Sequence, residues 1–183
     1  MRNIAPPSAS PEMTPITIRP VRRADGPALI AAHLASRGLH HPWAAPFTDR
    51  AGFRAWFATT GTERKQALLA LRGDIIVGLV NLNEIVHGGF LSAYLGYHGM
   101  TGATGHGAMT QAVRLAIAHA FGPLGLHRLE ANIQPANAPS RALVQRLGFR
   151  LEGLSLRYLL IDGAWRDHER WALLAGEEAS ASF

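Results

Sequence analysis

The sequence predicts a single mixed α/β domain with a mostly antiparallel central sheet and flanking helices. Three observations predict it. Apolar runs separated by short Gly, Asp and His-Gly-Gly breaks fill residues 66–97 and read as an antiparallel meander. Apolar residues then recur at helical spacing from Met109 to Phe121. A strand, a short helix and a closing hairpin complete the chain. A length of 183 residues suits one domain, and 48% hydrophobic with 17% charged residues is enough to build a core.

Each element has its own signal. Residues 1–14 and the run to Pro15 hold Pro6, Pro7, Pro11 and Pro15 among Ser and Ala, a composition that predicts a flexible tail; residues 175–183 read the same way. The domain is therefore expected over residues 15–174. Ile16 to Arg19 alternates as a first strand, and Asp25 before Gly26 and Pro27 reads as the cap of a helix to Arg37. An irregular aromatic connection containing Trp43 and Phe47 precedes a helix at 51–57. QALLALR, DIIVGLVNLNEIV and FLSAYLGY form the meander. LHRLEANIQ alternates apolar His127, Leu129, Ala131 and Ile133 with polar neighbours, as a half-buried strand does. Asn137 with Pro139 opens a short helix that Gly148 ends. Asp162 and Gly163 mark the turn of a hairpin from Arg157 to Leu174.

Composition also excludes chemistry. The chain has no cysteine, so disulfides, thiolate metal sites and a cysteine nucleophile are excluded. Nine histidines invite a metal reading, but no HExxH occurs and His40 and His41 are adjacent rather than on one helical face, so no metal is expected. A net charge of +5 favours an anionic partner such as a phosphorylated cofactor. No run reaches the ~20 apolar residues of a membrane helix, and a soluble cytoplasmic protein without membrane contact is the expectation.

The stretch MTGATGHGAM joins a strand to a helix, and Gly102, Gly105 and Gly107 allow main-chain amides to crowd toward an anion at the helix start. The same glycines could equally serve only the turn. A nucleotide-hydrolysing loop needs Gly-Lys followed by Ser or Thr, whereas Ala108 and Met109 follow Gly107. A dinucleotide fingerprint needs a third glycine where Thr110 stands, after a strand of a parallel unit. Both readings fail.

These residues resemble the GNAT superfamily of acyl-CoA-dependent N-acetyltransferases, and within it the ribosomal-protein-alanine acetyltransferases of the RimJ type. The family's diphosphate signature, Q/R-x-x-G-x-G/A, falls on Gly102 to Gly107, with Gly102 where Gln or Arg is usual. NAPSRALVQRLGF matches the second signature. NEIVHGGFLSAYLGY, YLLIDGAWRDH and HHPW are similar to the RimJ strand, closing hairpin and first loop, with Ala44 where an acidic residue is common.

The resemblance implies two parallel strands, 90–97 and 126–134, that splay apart and admit the pantetheine arm of acetyl-CoA. It implies backbone hydrogen bonds from Leu95, Gly96 and Tyr97, and a diphosphate held by Gly102, Ala103, Thr104, Gly105, His106, Gly107 and Ala108. Asn137 is then either a contact to the pantetheine or the helix cap. Ser140 is either the proton donor to the departing thiolate or a first-turn cap. From their own positions, Glu84 at a strand end beside the cleft is assigned as general base through water, with Glu130 on the polar face of LHRLEANIQ as the alternative and as an acceptor-side residue; the other reading of each is a solvated surface glutamate. Independently of the resemblance, Trp43 and Phe47, aromatics in the irregular connection between the first helices, form either a wall of the acceptor site or core anchors.

The expected reaction is acetyl transfer to a primary amine in a ternary complex, most simply the terminal amine of an alanine-starting protein such as a ribosomal protein. A small amine, amino acid or antibiotic is the alternative acceptor, and a non-catalytic acyl-CoA- or RNA-binding module the alternative of another class. RNA would enter only through a ribosomal acceptor, and the protein is expected as a monomer or homodimer.

Overall fold

The computed structural model describes residues 14–103 and 107–177. Most of both expected tails lies outside this range. β1 (Ile16–Pro20) leads through a 3-10 turn at Arg23–Asp25 into α1 (Gly26–Ala35), α2 (Arg37–His40) and α3 (Arg50–Ala58). The meander is β2 (Gln66–Arg72), β3 (Ile75–Val86) and β4 (Ser92–Gly99), followed by α4 (Ala108–Phe121), β5 (Arg128–Ile133), α5 (Ala138–Arg146), β6 (Arg150–Ile161) and β7 (Ala164–Leu174). The seven strands form one sheet in the order β1-β2-β3-β4-β5-β7-β6. All neighbours run antiparallel except β4 and β5. The expected mixed sheet with one parallel pair is the observed one. No helix among the described residues is long and apolar enough to cross a membrane.

Strand alternation gives the sheet two faces. On one, Leu68, Ala70, Val80, Leu82, Leu95, Leu129 and Ala131 pack against the apolar stripe of α4 (Ala112, Val113, Ala116, Ile117 and Ala120) and Val144 of α5. That stripe is the helical spacing read from the sequence. Gly78 makes the close approach possible, because a Cβ there would fall 2.2 Å from Met109 Sδ and 2.9 Å from the His98 carbonyl. On the other face a smaller cluster joins Leu69, Leu79 and Met100 to Leu29 of α1 and Phe53 of α3. Fully burying a leucine contributes about 1.5–3 kcal/mol, so the larger cluster dominates stability.

Two local expectations are corrected, and one cap is added. Asp25 does not cap α1; its carboxylate takes two hydrogen bonds from the Arg19 guanidinium at 2.7 and 2.8 Å and one from the Arg22 N–H. Charge-assisted pairing outcompetes a neutral cap. Asp49, unremarked in the sequence, caps α3 by accepting the Gly52 N–H at 2.7 Å. β6 begins at Arg150 rather than Arg157, because register shifts near Gly153 and between Ser155 and Leu159 scramble its alternation.

Candidate active site

The parallel pair is short. Ser92, Ala93 and Tyr94 pair with Arg128, Leu129 and Glu130, and pairing stops there, although β4 continues to Gly99 and β5 to Ile133. Beyond Tyr94 the β4 edge facing β5 has no strand partner, so its main-chain groups line an open slot. A cavity of about 420 Å³ occupies this slot. Its walls are Leu95 to Gly99 of β4, Asn132 to Gln134 at the end of β5, the first turns of α5, Leu159 and Ile161 of β6, and the α2 loop with Trp43 and Ala44.

Of the residues expected in the site, Leu95, Gly96, Tyr97, Asn137, Ser140 and Trp43 all line this cavity. Asn137 does cap α5, since its Oδ1 accepts the Ser140 N–H at 3.2 Å. That leaves the Ser140 hydroxyl free of capping duty. Ser140 Oγ instead lies 2.7 Å from the Tyr97 hydroxyl, which also donates to the Ser140 carbonyl at 3.1 Å. Burial pushes the Tyr97 phenol up to about 12, against the opposing effect of the Ser140 hydrogen bond. The pair therefore stays protonated at neutral pH. The side chain of Tyr97 was missed in the sequence, where only its backbone drew notice; the parity of Ala93, Leu95 and Tyr97 toward the helices was the available signal.

Trp43 and Phe47 part company. The Trp43 indole lines the cavity and its carbonyl accepts the Gln134 side-chain N–H at 3.3 Å. Phe47 packs on His33, Phe53 and Trp56 as a core anchor.

The two glutamates are not brought to the cavity. Glu84 sits where β3 shifts register, at φ 46°, and its exposed carboxylate accepts from Arg64 at 2.8 Å. Glu130 is held by Arg128 at 2.8 Å, and Arg128 also pairs with Glu152 on β6. Each carboxylate is engaged by a guanidinium and lies outside the cavity lining, so neither is placed for the base role assigned to it. Among the described residues no carboxylate lines the cavity.

Imidazoles do. His98, next to Tyr97 but on the opposite face of β4, lines the cavity with His40 of α2 and contacts His33 of α1. His98 Nε2 lies 3.0 Å from His33 Nε2, His33 Nδ1 lies 2.9 Å from the Phe47 carbonyl, and His40 Nε2 lies 2.8 Å from the Gly99 carbonyl. Burial, with His33 and His40 adding repulsion, holds His98 down near 3, and burial also lowers His33. No sequence signal joins these three, because positions 33 and 98 are far apart and their contact is purely tertiary. No group of three or more His, Asp or Glu among the described residues is arranged to hold a metal ion.

The slot leads toward the start of α4. Gly107, at φ 72°, offers no side chain to the helix's first amides, so the N–H groups of Ala108, Met109 and Thr110 have no side-chain cap among the described residues. Arg146 of α5 reaches Thr110 Oγ1 at 3.3 Å and places a cation beside that turn. Gly102 is exposed at φ 83°, and Ala103 and Ala108 are buried. Thr104, Gly105 and His106 lie outside the described residues. An elongated slot ending at uncapped amides and a guanidinium fits a pantetheine arm leading to a diphosphate.

Residues 16–150 match the family model described as an acetyltransferase (GNAT) domain. The chain belongs to the GNAT acetyltransferase family. Among GNAT relatives, it is 39% identical over 101 residues to the probable N-acetyltransferase YjcK of Bacillus subtilis, covering 55% of this chain and 56% of that protein. It is 43% identical over 98 residues to the [ribosomal protein uS5]-alanine N-acetyltransferase of Escherichia coli, covering 54% of this chain and 50% of that protein. The matched stretch thus spans about half the length of these curated relatives. The fold superposes on Mycobacterium smegmatis RimJ in complex with CoA-disulfide with a TM-score of 0.81 at 34% identity, covering 88% of this chain and 83% of that one.

If the GNAT diphosphate sits on the α4 amides, a Cβ branch at Gly107 obstructs it and also strains the left-handed backbone. Gly107→Val is expected to weaken CoA binding at least about tenfold, read by calorimetry, with the thermal midpoint showing how much of that loss is folding.

Proposed function

We propose that the protein transfers an acetyl group from acetyl-CoA to the α-amino group at the N-terminus of a protein or peptide. The observation that carries this reading is the cavity itself, which pairs a protonated Ser140–Tyr97 hydroxyl couple on the helix side of β4 with a wall on the other that holds no carboxylate among the described residues. Acetyl-CoA supplies an activated thioester. The chain's own residues do the rest. The α4 amides and Arg146 hold the diphosphate, and the unpaired edge of β4 holds the pantetheine. An N–H of that edge near Tyr97 faces the developing oxyanion. As the amine nitrogen bonds to the acetyl carbon and the C–S bond breaks, Ser140 Oγ donates a proton to the departing sulfur and takes the Tyr97 hydroxyl proton in its place, which solvent restores to the phenol after products leave.

The acceptor follows from charge. An α-amine near pKa 7.8 is roughly a fifth neutral at pH 7.2, whereas a lysine near 10.4 is less than about a thousandth neutral. With no carboxylate lining the cavity among the described residues, an ammonium finds no stabilising counter-charge there, and this favours the less basic amine. The RimJ likeness and the uS5-alanine relative support an alanine terminus of a ribosomal protein as that acceptor. A cytoplasmic location goes with such an acceptor.

Thiol release from acetyl-CoA should be followed with an alanine-starting peptide, the same peptide with a blocked terminus, and spermidine. Turnover with the free terminus alone is expected. Turnover that survives blocking, or a preference for spermidine, would replace this acceptor with a side-chain or small amine. No turnover with any amine despite CoA binding would leave a binding module.

A further inference from the structure

We propose that the acceptor's proton leaves through a two-histidine relay, in which His98 Nδ1 receives it while His98 Nε2 passes its own proton to His33. The inference rests on the amine-acceptor reading above, and it fills the base role that Glu84 and Glu130 do not.

Hydrogen-bond logic fixes the direction. A carbonyl oxygen only accepts, so the contact from His33 Nδ1 to the Phe47 carbonyl at 2.9 Å places the His33 proton on Nδ1. Neutral His33 then presents a bare Nε2. His98 Nε2, 3.0 Å away, can bond to it only as the donor. Neutral His98 therefore has a bare Nδ1, and no hydrogen-bond partner for that nitrogen is found among the described residues. His40 is locked in the same manner, with its Nε2 proton on the Gly99 carbonyl at 2.8 Å. A carbonyl at one end has thus set the tautomer of two rings in series and left a lone pair on a residue of the cavity wall.

Placement agrees. Tyr97 and Ser140 lie on the helix side of β4, where the thiolate departs, and His98 lies on the opposite face, from which an incoming amine has its approach. The titratable groups that act on His98 are His33 from α1 and His40 from α2, with no carboxylate among them. Burial keeps both rings neutral at rest, so each has a bare nitrogen ready to accept a proton. The step balances. Once the C–N bond has formed, the nitrogen's surplus proton moves to His98 Nδ1. The Nε2 proton moves to His33 Nε2, and His33 carries both protons with Nδ1 still on the Phe47 carbonyl. After products leave, His98 Nδ1 gives its proton to water and His33 Nε2 returns the shared proton to His98 Nε2, which restores both starting tautomers.

Two measurements test this. In ¹⁵N-labelled wild-type protein, imidazole shifts should report a bare Nδ1 and protonated Nε2 for His98 and the reverse for His33. The opposite tautomer on either ring overturns the relay whatever the acceptor proves to be. In kinetics, His98→Asn keeps a small polar acceptor but cannot pass a proton. It should lower kcat with the alanine-starting peptide on the order of tenfold to a hundredfold, at the low end for base catalysis because the acceptor is weakly basic. The acetyl-CoA KM should hold, and His98→Gly should be rescued by added imidazole in a saturable way. A kcat within twofold of wild type, or a loss without rescue that tracks CoA affinity or melting, overturns it. Failure of the wild-type enzyme itself to turn over any amine would instead fall on the function proposed above.

Discussion

Ser140→Ala should lower kcat by about a hundredfold, while the Kd for CoA stays within about twofold. The reason is a division of labour at the start of α5. A first-turn serine commonly caps its helix, and removing such a cap costs about 1 kcal/mol of stability. Here Asn137 Oδ1 takes the Ser140 N–H, which survives the substitution, and the serine Oγ is committed to Tyr97 at 2.7 Å. Alanine removes the hydroxyl and little else. Tyr97→Phe should reproduce part of the loss, and the double variant should be far less than additive, because the two hydroxyls act as one donor. A Ser140→Ala enzyme with near-normal kcat and weakened CoA binding would reassign the residue to cofactor contact.

The second large effect is on stability. The linkage sign runs through the histidines. His33 and His98 have folded values below the ordinary imidazole value of 6.5, His98 near 3, with burial as the main cause. Below pH 6.5 the unfolded chain binds protons that the folded chain refuses. Stability is thus fully present above 6.5 and drains away as pH falls toward the folded values. The slope is up to about 1.4 kcal/mol per pH unit for each such group, so a drop on the order of a few kcal/mol is expected between pH 7 and 4. Asp25 and Glu152, held below the usual carboxylate range by Arg19 and Arg128, add their own loss only at lower pH. Urea midpoints at pH 7, 6, 5 and 4 measure the slope, and His98→Gln should flatten it. A midpoint level down to pH 4 in the wild type would contradict the neutral, buried cluster.

How much of this was legible depends on whether the determining contact is local. The α4 stripe, the alternation in LHRLEANIQ, the Asn137 cap and the Asp162–Gly163 turn each follow from neighbours in sequence, and each stands where the sequence puts it. Leu95, Gly96, Tyr97 and Ser140 reach the cavity because a glycine loop and a helix start are local features that fix where two strands end. Glu84 could not be placed that way. Its strand pattern says nothing of the bulge that turns it outward or of Arg64 twenty positions earlier. The histidine chain needed α1, α2 and β4 brought together around the Phe47 carbonyl. The missing side chain at Gly102 was readable, but the Arg146 guanidinium beside the first turn of α4 depends on a contact between two helices.

The central claim is that one cavity takes its two substrates from opposite faces of the sheet, coenzyme along the α4 and α5 side and amine past Trp43 and His98. A crystal structure with a bisubstrate conjugate, CoA joined through its acetyl group to the N-terminus of an alanine-starting peptide, tests it most directly. The account predicts the diphosphate on the amides at the start of α4, the joining carbon between β4 and β5 beyond Tyr94, and the peptide leaving between Trp43 and Leu159. A conjugate with both halves on the helix side, or with its diphosphate away from α4, would contradict it.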